Sequence, residues 1–269
     1  MTTDSVSSAL PRAGFWRRAM SMLIDAIVVL VPFQVLAAIL FVATAGKVQM
    51  YSGFTSQACD KAAIPQLLDP PPPHDSNFAQ ICRVRLFSAT TGVILTVGRA
   101  TKEGSVTKTV NQSYMVNEKG DPIDGIAIDW IAILALLVYL VGMIWKTGKT
   151  IGARMVGIRF INVAQPGRPG IPLPKAIARY LAIEIGLIPA LALLAYLKVT
   201  TDGSADAIFG DEFFRWFMVT IFVAVVWYVL LIAQIARKRD PVYDRLAGTM
   251  VVRESRPGKL PRQAEPRFD

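Results

Sequence analysis

Four apolar runs, at residues 20–43, 126–145, 176–197 and 213–236, constrain this chain more than any motif it carries. A helix rises about 1.5 Å per residue and the hydrocarbon layer is about 30 Å thick, so each run is long enough to cross a bilayer. With 53% of residues hydrophobic and a mean hydropathy of +0.42, the chain is too apolar for an ordinary soluble domain and reads as a polytopic membrane protein. The first run is not a cleavable signal: it passes twenty residues, holds Asp25, and lacks a small-residue cleavage pattern before the polar stretch that follows. The predicted fold is an all-α membrane protein, a four-transmembrane-helix bundle with a small disulfide-bonded, β-containing extracytoplasmic insert. Its divisions are a disordered N-terminus (1–12), a first transmembrane helix (13–44), the insert (45–125), a membrane region with three helices and a cytoplasmic loop (126–255), and a disordered tail (256–269).

The net charge of +9 is distributed unevenly. Arg12, Arg17 and Arg18 precede the first run with Asp4 as the lone acid. Lys146, Lys149, Arg154, Arg159, Arg168 and Lys175 lie between the second and third with no acid among them. The turn between the third and fourth is acidic, with Asp202, Asp206, Asp211 and Glu212. By the positive-inside rule both termini and the basic loop are cytoplasmic and the insert is external. The basic excess is assigned to topology and contact with anionic lipid, not to nucleic acid, because no aromatic-interleaved basic motif accompanies it.

Asp25 lies inside the first run, where an ionised carboxylate costs roughly 2.5–3.5 kcal/mol, so it is a candidate functional residue by placement alone. Arg18 is seven residues earlier, about two turns and roughly 10 Å along the same face, too far to pair with it directly. The other charges available are Arg179 and Glu184 in the third run and Asp244 after the fourth. The expectation is that Arg18 meets Asp244 at the interface and that Asp25 faces Arg179 or shares water with Glu184. These are either buried ion pairs that fix helix register, or an ion or proton site in which two nearby carboxylates oppose each other's ionisation.

Arg18, Asp25 and the late VYDRLAGTMVV that carries Asp244 resemble the RDD family of bacterial membrane proteins, named for one Arg and two Asp. TGKTIGARMVGIRFINV, after the second run, resembles it again. The resemblance covers residues 13–44 and about 127–255. It implies a multi-pass protein of the bacterial cytoplasmic membrane and a transport-related role, with cation/proton antiport suggested for some members. One departure is Tyr243, where the family often has His.

The insert holds the chain's two cysteines, Cys59 and Cys82, and an oxidising compartment favours a bond between them over a metal site. Residues 84–116 alternate apolar and polar, are rich in β-branched side chains, and are broken by glycines, which predicts a β-meander. His74, after a proline run, reads as a solvated loop residue. Pro32 and Gln34 interrupt the first run, as a kink packed on neighbours or a pore-lining amide. Asp124 and Asp129 open the second run, Asp129 as a helix-start charge or part of an acidic vestibule, and Trp145 closes it as an interfacial aromatic.

TGKTIG is not a phosphate loop, since five residues separate Gly142 from Gly148 and Gly142 lies within an apolar run. Arg154 with Gly157 and Arg245 with Gly248 repeat one pattern, Arg then Gly three residues on, then an apolar run. Each is predicted to be a short helix ending at Gly and leading into a strand, with 158–163 and 249–252 able to pair. No nucleophile, base and oxyanion arrangement is present, so no enzyme and no cofactor is expected. Two functions stay open. One is a small proton-coupled cation transporter, a homodimer using Asp25, Glu184 and Arg179 on a monovalent cation and a proton. The other is a non-transporting scaffold or accessory protein that binds a partner through the insert or the basic face.

Overall fold

The computed structural model describes residues 11–65, 67–104, 106–200 and 211–254. The acidic residues Asp202 and Asp206 and the terminal stretches 1–10 and 255–269, expected to be disordered, lie outside the described residues. Four helices are long and apolar enough to cross a membrane: Phe15–Ala43, Asp129–Thr147, Leu173–Leu197 and Phe213–Ala236. The all-α expectation needs correcting, because the chain is 48% helical and the described residues contain three separate sheets. The described residues divide into two units, one within Met1–Asp25 and Tyr139–Asp269, the other Ala26–Val138. Helix α1 (Phe15–Ala43) and helix α2 (Asp129–Thr147) each run from one unit into the other.

The second unit contains the insert. After α1 comes the two-residue strand β1 (Val48–Gln49), then β2 (Ser56–Lys61), β3 (Phe78–Leu86), β4 (Ala89–Glu103), β5 (Val106–Met115), and the short β6 (Ile126–Ala127), which pairs in parallel with β1. Strands β2 to β5 form an antiparallel meander in sequence order. Its β-branched residues alternate sides, and one face buries Ala79, Ile81, Val93, Leu95, Val97 and Tyr114 against Phe41 of α1. Cys59 and Cys82 stand opposite each other on β2 and β3 and are bonded. Gln49 is fully buried, and its amide is fully used: Nε2 donates to the carbonyls of Gly46 and Val116, and Oε1 accepts from Tyr51 OH and from Val93 N. One side chain thus ties β1 to β4 and to the end of β5.

At the start of α2, Asp129 Oδ1 accepts from the backbone N–H groups of Tyr51 (3.0 Å) and Ser52 (2.7 Å). The Asp129 charge therefore clamps a loop, and the vestibule reading has no support from this contact. Gln34 is buried on α1, and its Nε2 donates to Ser52 O at 3.2 Å. Tyr51 is partly buried, and that burial, helped by the Asp129 charge, pushes its hydroxyl up to about 12.

In the first unit, α2 ends beyond Trp145 and leads through TGKT into α3 (Ile151–Met155) and β7 (Ile158–Asn162). The third span is not one helix: α4 (Leu173–Ile183) passes through a 3-10 turn (Glu184–Leu187) into α5 (Ile188–Thr200). The Ile183 carbonyl accepts from the Trp227 indole at 2.9 Å, on the facing helix α6 (Asp211–Ala236). The chain ends with α7 (Val242–Ala247) and β8 (Thr249–Arg253), and β8 pairs antiparallel with β7. Gly157 and Gly248 follow α3 and α7 with φ of +66° and +61°, the left-handed ends that the repeated pattern predicted. On the other side of β8, Arg12 bridges Val252, and Ala13 N donates to Val251 O at 3.0 Å. Arg12 also pairs with Asp240 at 3.0 Å, so residues 11–13, expected to belong with the disordered N-terminus or to open the first helix, are an ordered edge segment.

Candidate functional site

Two sets of buried charges occupy the first unit. The first is centred on Asp244, which is fully buried near the start of α7. Arg18 Nη1 donates to its Oδ2 at 2.7 Å, and Arg179 Nε donates to its Oδ1 at 2.7 Å. Thr249 Oγ1 adds a bond to Oδ1 at 2.9 Å. Arg18 also donates to Tyr243 OH (3.3 Å) and to Ala13 O (3.2 Å). Arg179 lies over three rings, with its guanidinium carbon 4.7 Å from the Phe160 centroid, 5.0 Å from Tyr243 and 5.8 Å from Tyr180. A planar, weakly hydrated guanidinium suits such stacking, which offsets part of its desolvation cost. Tyr243 serves both as a ring beside Arg179 and as an acceptor for Arg18.

The second set is centred on Asp25, 2% exposed and the last residue of α1 within this unit. Its Oδ1 accepts from Tyr139 OH (2.9 Å) and from Gly152 N (2.8 Å); its Oδ2 accepts from Thr150 Oγ1 (2.5 Å) and from Ser21 Oγ (3.4 Å). Tyr139 OH in turn accepts from Ile151 N at 3.0 Å, and Thr150 Oγ1 accepts from Ala153 N as the N-cap of α3. The TGKTIG segment is therefore the turn that presents donors to Asp25. Gly152 is required by contact: a Cβ there would run into the Ser21 carbonyl oxygen and the Asp25 carboxylate.

The structure brings Arg18 to Asp244, as expected. It does not bring Arg179 or Glu184 to Asp25: among the described residues no ion pair or hydrogen bond joins them. Arg179 lies on Asp244 because α4 packs beside α7, and both oxygens of Asp25 are already taken. Glu184 is exposed in the 3-10 turn and accepts from Tyr228 OH at 2.8 Å. Thr150, Tyr139 and Thr249 were missed by sequence reasoning. Thr150 alone carried a signal, a Thr directly before a short helix, where an N-cap is favoured. Arg17 donates to Val156 O at the end of α3 (2.8 Å), and Lys149 pairs with Glu254. His74 is exposed, and no cluster of metal-ligating side chains is present among the described residues.

Both centres are thus built from the Arg and the two Asp of the motif. No curated protein and no solved structure matches the chain. A family model, the RDD family, matches residues 12–248, an interval that includes Arg18, Asp25 and Asp244 and runs across the insert. Covering most of the chain, that match identifies this protein as a membrane protein of the RDD family.

Proposed function

We propose that this protein is a non-transporting membrane scaffold or accessory protein, in which the motif charges lock the membrane unit and the exposed surfaces make the contacts with partners. The observation that carries this reading is the saturation of both motif carboxylates by donors from the chain itself. Asp25 takes four, and two of them, Gly152 N and Thr150 Oγ1, belong to the turn that Asp25 holds in place. A cation bound there would compete with the bonds that shape the site. Asp244 has a cation on each oxygen and a hydroxyl besides.

In this reading the protein lies in the bacterial cytoplasmic membrane. Both termini and residues 146–175 face the cytoplasm, with the basic loop against anionic lipid, and the insert faces the oxidising side, which suits the Cys59–Cys82 bond.

A second reading, proton-coupled cation transport, draws on one observation: among the described residues the donors to Asp25 are neutral, and no basic side chain bonds to it. A cation-dependent pH-gradient assay in proteoliposomes separates the two. The scaffold reading expects no cation-dependent proton movement from the parent protein, and a lower melting temperature for Asp25→Asn. Exchange by the parent that is lost in a folded Asp25→Asn protein would put transport first.

A further inference from the structure

We propose that the β3–β4 turn is a membrane-contacting finger, with Phe87 and the groove behind it occupied by lipid acyl chains at the bilayer surface. Phe87 is 88% exposed at the tip of the hairpin, followed by Ser88. Its φ is +53°, a left-handed conformation that bulky residues rarely take and that a turn of purely structural purpose would give to Gly or Asn. A large apolar side chain is therefore held outward by a backbone that disfavours it.

Behind the tip, Leu86, Phe87 and Ala89 join Val35, Ile39 and Val42 of α1 around an apolar cavity of about 670 Å³. Val35 and Leu36 are 47% exposed, Ile39 60% and Val42 75%, on the helix that also exposes Ile27. The groove is thus continuous with the surface that this spanning helix presents to hydrocarbon, and that continuity selects lipid as its occupant.

The chain's two cysteines are bonded to each other, so Phe87→Cys introduces a single reactive thiol. A nitroxide would be attached there, and in separate proteins at Ser88→Cys and at Thr101→Cys near the far end of β4, with each reconstituted in phosphatidylethanolamine–phosphatidylglycerol vesicles. Collision rates with oxygen, which concentrates in hydrocarbon, and with a water-soluble nickel chelate are then compared. The expected result is that labels at 87 and 88 favour oxygen by several-fold relative to the label at 101, which favours the chelate. A chelate preference at 87 and 88 equal to that at 101 would overturn the proposal. Shielding of those labels from both reagents would overturn it in favour of a protein partner in the groove.

Discussion

Arg18 and Arg179 hold opposite oxygens of one carboxylate, Asp244, which is fully buried. Two cations on one acid make the loss of the acid worse than the loss of either base. Asp244→Ala leaves two guanidiniums without a counter-charge and should cost about 3–5 kcal/mol, the range for breaking a buried pair. Arg179→Ala should cost less, and Arg18→Ala least, since Arg18 is nearer the surface and Asp244 keeps Arg179 and Thr249 without it. Melting temperatures in detergent micelles should fall in that order, and an Arg18→Ala protein less stable than Asp244→Ala would contradict it.

At Asp25 the prediction concerns geometry more than charge. Asp25→Asn keeps the shape but weakens charge-assisted bonds, a loss of about 1.5–3 kcal/mol. Gly152→Ala keeps every polar group but drives a methyl into Ser21 O, at a cost of about 1–3 kcal/mol or more. Both should speed hydrogen exchange at Gly152 and Ala153. Unchanged exchange in either variant would show that Asp25 does not hold this turn.

Replacing Cys59 and Cys82 with Ser removes a bond that spans 23 residues. The chain-entropy relation gives about 3 kcal/mol for a loop of that size, and the loss should be confined to the insert's own unfolding step. Limited proteolysis, with new cuts appearing within β2 to β5 only, is the readout.

Alkaline pH should also weaken the insert. In the folded protein, burial and then the Asp129 charge raise the Tyr51 hydroxyl from its ordinary 10.0 to about 12. The raised value means that the folded state holds the proton more tightly than the unfolded chain does. Its stabilising contribution is complete below pH 10 and is lost as pH rises toward 12. Tyr114, shifted upward by burial and by Asp69, acts in the same direction. Melts between pH 9 and 12 should show the decline, and Tyr51→Phe should reduce it.

The spans were legible because length and hydropathy alone decide them, and the strands of the insert because period-two alternation survives in 84–116. The β7–β8 pair was legible as well, since Arg154 with Gly157 and Arg245 with Gly248 mark two helix ends by the same backbone requirement. Other features were hidden. The break in the third span leaves no trace in hydropathy; its mark in the sequence is Pro189, which lacks an N–H and whose ring clashes with the Ile185 carbonyl one turn earlier, inside the 3-10 segment. The partners of Asp25 were illegible because they are neutral: a search for charges to satisfy a carboxylate passes over Thr150, Tyr139 and a glycine N–H. Arg179 was expected as one of two alternatives for Asp25, left over once Arg18 was paired with Asp244, whereas it lies on Asp244 with its guanidinium over Phe160 and Tyr243.

The separation of 226 residues between Arg18 and Asp244 also sets an order of events during synthesis. At about 5–20 residues per second, Arg18 leaves the ribosome roughly 11–45 s before its acid does. Asp25 meets Thr150 after only 125 residues, so its turn can close while the later spans are still being made. A nascent chain halted before α7 would have the Asp25 turn formed and Arg18 and Arg179 still without an acid. The arrival of one late aspartate therefore supplies the counter-charge of two arginines made long before it.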